Sequence, residues 1–79
     1  MDRIELGRLL TAAFPDGEVE VTGDDGVHFE ARIVTPAFAG KSLVEQHKLV
    51  YAALGDLMKE TIHALSLKTY TPEAWARKR

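Results

Sequence analysis

The segment 62–75, IHALSLKTYTPEAW, brings together a side chain able to bind a metal and a pattern that fixes its position. His63 opens a short alternating stretch in which Leu65 and Leu67 share its face, while Ser66 and Lys68 take the other. Thr71 suits a helix N-cap, with Pro72 at the first helical position and Glu73 in the positive first turn. An imidazole at the start of a strand stands near the rim of a sheet. There it serves either as a polar cap bonded to nearby backbone or as a ligand reaching past the edge. Two other histidines, His28 and His47, complete the stock of soft ligands, because the chain has no cysteine.

The elements that must hold these residues follow from periodicity. Ile4, Leu6, Leu9, Leu10, Ala13 and Phe14 recur at helical spacing over Asp2–Phe14, and Pro15-Asp16-Gly17 breaks that helix. Glu18–Thr22 alternates as a strand, and Gly23-Asp24-Asp25-Gly26 suits a hairpin turn. A second strand follows over Val27–Thr35, with Val27, Phe29, Ala31 and Ile33 on one face and His28, Glu30 and Arg32 on the other. Pro36 ends it, and Ala37–Lys41 connects to a helix capped by Ser42, with Glu45 completing a capping box. Leu43, Val50 and Leu54 form that helix's apolar stripe, with Val44 and Tyr51 beside it. Gly55 ends or bends the helix, and Leu57-Met58 continue as a short helical turn.

The order is therefore α-β-β-α-β-α. A right-handed crossover through the long helix lays the third strand parallel to the second, beside an antiparallel hairpin. The expected class is α+β, a three-stranded mixed sheet with helices on one face, in a single domain over residues 1–79. His28 and His63 then begin neighbouring parallel strands and approach one end of the sheet. Read from its position alone, His28 is an exposed strand histidine. His47, four residues after Leu43 and three before Val50, belongs to the apolar stripe as a partly buried structural residue. Trp75 is expected to anchor the last helix as a buried ring, whose truncation would cost about 3–5 kcal/mol.

Composition excludes several classes. Seventy-nine residues build one small core, with stability on the order of 4–12 kcal/mol. Without cysteine there is no disulfide, no thiol nucleophile and no thiolate metal site. No apolar run reaches membrane-spanning length, and Asp2 and Glu5 are unlike a signal peptide, which makes the cytoplasm the expected compartment. Residues 1–40 carry three basic and eight acidic side chains, whereas residues 41–79 carry seven and four, so the charge of −2 conceals a basic second half. No catalytic set is legible: Ser42 and Ser66 lack an adjacent base–acid pair. Gly40-Lys41-Ser42 lacks the earlier glycine of a phosphate loop.

Three blocks in order resemble the BolA family: Phe38-Ala39-Gly40-Lys41-Ser42, Gln46-His47-Lys48-Leu49-Val50-Tyr51, and the histidine-led strand that ends in Thr71-Pro72-Glu73-Ala74-Trp75. The resemblance covers roughly residues 19–77 and implies the class II KH-like fold. It implies that His63 ligates a [2Fe–2S] cluster shared with a monothiol glutaredoxin, the glutaredoxin and glutathione supplying the thiolates. A family histidine or cysteine in or near the hairpin implies His28 as a second metal ligand, set here a few residues past the usual position. At position 46 the family commonly has an arginine, so Gln46 leaves one charge fewer on a face implied to bind nucleic acid.

The leading expectation is a non-enzymatic module that forms a heterodimer with a monothiol glutaredoxin and binds, senses or delivers [2Fe–2S] clusters, with none held by the isolated chain. The alternative is a DNA-binding transcriptional or stress regulator that uses the KH-like surface and Lys41, Lys48 and Lys68. The Gly-x-x-Gly clamp of true KH domains is missing. After Trp75, Arg77, Lys78 and Arg79 form a solvated tail in which Arg77 and Lys78 are the candidates for partner docking. A weak homodimer is the remaining association expected.

Overall fold

A computed structural model describes residues 2–57 and 64–78. Helix α1 spans Arg3–Ala13, strand β1 Glu18–Thr22 and strand β2 His28–Val34. A single 3-10 turn, Pro36–Phe38, leads to helix α2, Leu43–Leu54. Strand β3, Ala64–Tyr70, and helix α3, Pro72–Lys78, complete the described elements. The sheet has the order β1-β2-β3, with β1 antiparallel and β3 parallel to the central β2. The expected α+β mixed sheet is therefore the observed one. The expected helical turn at Leu57-Met58 and the start of the third strand at His63 extend outside the described residues.

The helix boundaries have local causes. Asp2 caps α1 by accepting from the Glu5 amide at 2.9 Å. Ser42 and Glu45 form the reciprocal capping box of α2, with bonds of 3.2 and 2.8 Å. The Ser42 amide first, and then the Ser42 hydroxyl, hold the Glu45 carboxyl below its ordinary range. Thr71 Oγ1 accepts from the Ala74 amide and so starts α3 one residue after β3 ends.

One face of the sheet carries the core. Phe29, Ala31 and Ile33 of β2 meet Leu6, Leu10 and Phe14 from α1 and its end, together with Val50 and Leu54 of α2. Phe38 is completely buried, its ring 5.5 Å from that of Phe14. The stripe expected on α2 is narrower than the pattern suggested: Leu43 is 60% exposed, whereas Gln46 is only 9% exposed. A three-stranded sheet offers α2 little width. The buried positions are therefore Gln46, Val50 and Leu54, spaced by four.

Helix α3 departs from the expectation that helices cover one face. Its Trp75 ring lies 5.1 Å from that of Tyr70, tilted by 48°, and under the Arg32 guanidinium at 4.5 Å. Arg32 and Tyr70 belong to the face opposite the core, so α3 crosses the polar side of the sheet. Trp75 is an anchor, but a half-buried one, and α3 has no buried residue. Glu20, Arg32, Glu30 and Lys68 decorate the same face, with ion pairs of 3.3 Å (Arg32–Glu20) and 3.5 Å (Lys68–Glu30).

Candidate functional site

The end of the sheet at which β2 begins is built by the hairpin. Pairing between β1 and β2 stops at Thr22 opposite Glu30, so His28 projects beyond β1. On its other side His28 lies opposite Ala64, and the Ala64 amide donates to the Val27 carbonyl at 3.2 Å. The loop closes tightly against this end. Gly23 has φ of 141°, and a Cβ there would come within 2.4 Å of the His28 carbonyl oxygen, which leaves glycine as the fitting residue.

Asp25 organises the residues that follow it. Its Oδ1 accepts the backbone amides of Val27 at 2.9 Å and His28 at 2.8 Å. Its Oδ2 lies 2.6 Å from His28 Nδ1. The His28 amide, then the Val27 amide and the His28 ring hold the Asp25 carboxyl well below the usual carboxylate range. The His28 side chain is 69% exposed and that of Asp25 48% exposed. An imidazole fixed through Nδ1 and open to solvent at a sheet rim can donate a lone pair from Nε2 to an incoming metal.

His63 lies outside the described residues. The register nonetheless sets Ala64, the residue that follows it in sequence, directly opposite His28. His47 is half-buried on α2, as its place on the stripe predicts, and its Nε2 is buried with no hydrogen-bond partner among the described residues. Among the described residues no three histidine or acidic side chains come together as a metal cage.

The three lysines do not share a surface. Lys41 and Lys48 line one shallow depression with Glu45 and Leu49 beside α2. Lys68 sits on the polar sheet face, paired with Glu30. Arg77 and Lys78 occupy the last turn of α3, where Lys78 Nζ folds back over the Tyr70 ring at 5.3 Å.

Sequence reasoning missed the role of Asp25, which it read only as a turn residue. The signal was its spacing to His28, since an Asx turn caps the amides two and three residues on. It also misjudged Gln46. That side chain turns inward instead of facing solvent, where a missing charge would matter. It accepts from Thr69 Oγ1 at 2.7 Å and donates to the Lys41 carbonyl at 3.0 Å.

Fold and site together define a small α+β domain that offers imidazole, and no thiolate, at one end of a mixed sheet. The family described as BolA-like protein matches residues 11–74. The chain belongs to the BolA family. It is 40% identical to the acid stress protein IbaG of Escherichia coli K12, over the whole of this chain and 94% of that protein. Over 63% of this chain it is 55% identical to SufE-like protein 1, chloroplastic/mitochondrial, of Arabidopsis thaliana, but the match spans only 14% of that longer protein. A more partial match, 35% identical over 61% of this chain and 46% of the other, is to the DNA-binding transcriptional regulator BolA of E. coli K12. Among solved structures, the bolA protein homologue from Coxiella burnetii superposes with a TM-score of 0.86 at 40% identity, covering 98% of this chain and 99% of that one.

Proposed function

We propose that this chain is a non-enzymatic module that pairs with a monothiol glutaredoxin and binds, senses or delivers [2Fe–2S] clusters. His63 and His28 are its ligands in this reading, and glutaredoxin and glutathione supply the thiolates. The observation that carries it is the His28 imidazole, exposed at the sheet end, fixed by Asp25, and set opposite the residue that follows His63. Neutral histidine in place of thiolate raises a cluster's potential. A chain without cysteine depends on its partner for the remaining ligands. No helix among the described residues is long and apolar enough to cross a membrane, and a thiol-ligated cluster belongs in a reducing compartment such as the cytoplasm.

The test is to mix the purified chain with a cluster-loaded monothiol glutaredoxin and record visible circular dichroism. Complex formation is expected to change the spectrum. His63→Ala is expected to alter it further without loss of folding or glutaredoxin binding, and His28→Ala to do so to a smaller degree. A wild-type complex with the spectrum of glutaredoxin alone refutes the reading.

A nucleic-acid reading is favoured by one observation, the meeting of Lys41 and Lys48 beside α2. Against it stand Glu45 in the same depression and Lys68 on the other face, so the charge that would neutralise phosphates is divided. DNA retardation at physiological salt, with no spectral change on adding glutaredoxin, would favour this second function.

A further inference from the structure

We propose that Asp25 is the positioning residue of the metal-ligand site: its carboxylate fixes His28 as the Nδ1–H tautomer and turns Nε2 toward an incoming iron. This rests on the reading of His28 as a ligand and adds a second residue to that site. The argument is one of donors and acceptors. Asp25 Oδ1 is occupied by the Val27 and His28 amides, which locks the carboxylate in orientation. Oδ2 then faces His28 Nδ1 at 2.6 Å. At neutral pH a carboxylate carries no proton to give, so the proton in this bond resides on Nδ1. In the neutral ring the lone pair is left on Nε2.

An exposed histidine without such a partner exchanges between two tautomers and rotates about its side-chain bonds. Only part of that population presents a donor in the right direction. The carboxylate–histidine pair removes both freedoms before the metal arrives, as it does in carboxylate–histidine–metal arrangements generally. Asp25 reaches the His28 ring across Gly26 and Val27 because its side chain folds back onto the amides that follow it.

Asp25→Asn separates positioning from folding. Its amide oxygen still accepts the two backbone bonds, while its NH₂ group replaces Oδ2 and favours an unprotonated Nδ1. Ring nitrogen shifts of the apo protein, measured by NMR about two pH units above the ordinary imidazole value, report the tautomer without any cluster. The expected result is Nδ1–H in the wild type and Nε2–H in Asp25→Asn. In the glutaredoxin complex, Asp25→Asn should shift the visible spectrum in the direction of His28→Ala and speed cluster loss about 10-fold. A wild-type ring with mixed tautomers overturns the proposal, and this measurement needs no variant to fold. If the tautomer is fixed but His28→Ala leaves the complex unchanged, the ligand reading of His28 fails and the positioning role falls with it. If both spectral effects appear while the tautomer is unaltered by Asp25→Asn, Asp25 acts through the loop and not through the ring.

Discussion

The Gln46–Thr69 bond joins α2 to β3 across the buried side of the sheet, and a double-mutant cycle measures what it contributes. Gln46 makes two well-formed bonds, from Thr69 Oγ1 at 2.7 Å and to the Lys41 carbonyl at 3.0 Å, with the Phe38 carbonyl at the outer limit of 3.5 Å. A net hydrogen bond is worth about 0.5–1.5 kcal/mol, and a buried partner left unpaired costs about 1–3 kcal/mol. Gln46→Ala strips both bonds and leaves the Thr69 hydroxyl without its acceptor. Its expected cost is about 2–3 kcal/mol. Thr69→Val removes one bond but strands Gln46 Oε1, for about 1–2 kcal/mol. The double variant loses the shared bond only once, so it should cost about 1 kcal/mol less than the two singles added together. Urea unfolding at 25 °C, with slopes unchanged among the variants, gives each value. In a domain with about 4–12 kcal/mol in total these are large fractions, easily resolved. Gln46→Leu with Thr69→Val should recover much of the loss, because apolar groups replace both partners of that bond. Additivity of the singles to within about 0.3–0.5 kcal/mol would refute the coupling and with it the inward placement of Gln46.

Trp75→Ala should cost about 1–2 kcal/mol in the same assay, less than the 3–5 kcal/mol of a fully buried ring. The half-buried indole contributes chiefly its tilted contact with Tyr70 and its contact with Arg32. A loss above about 4 kcal/mol would mean that α3 is part of the cooperative core. Acid should also reveal the Asp25 turn. Its carboxyl is depressed in the folded chain from an ordinary 3.8, so its contribution is complete above that value and is lost as pH falls further toward the folded pKa. The acid limb of the wild-type stability curve should therefore be steeper than that of Asp25→Asn. Parallel curves below pH ~4 would contradict the bond network drawn for Asp25.

Much of this protein is determined by short-range pattern, which the sequence carries by itself. The capping box Ser42–Glu45, the Asp2 and Thr71 sides of their helices, the alternation of β2 and the hairpin glycines act within four residues of one another, and each is where its chemistry requires. Together with the handedness of crossovers they determine the mixed sheet and bring the starts of β2 and β3 to one end. Membership of the BolA family is legible for the same reason, since its blocks lie on those local elements.

Tertiary structure decided what periodicity treats as equivalent. The pattern set Leu43 in the stripe of α2 and Gln46 outside it, yet Gln46 is buried and Leu43 exposed. The narrow sheet admits only one row of α2, and Thr69 of β3 happens to present a hydroxyl there. The residue pattern of helix α3 does not say which face of the sheet it crosses. It crosses the polar one because β3 ends only one residue before it and Arg32 and Tyr70 offer a surface for Trp75. Lys68 is separated from Lys41 and Lys48 by the thickness of the sheet, a distance that residue spacing along the chain does not encode. Asp25 became part of a site only when the turn folded its carboxylate onto the His28 ring, because the direction of a side chain depends on backbone dihedrals.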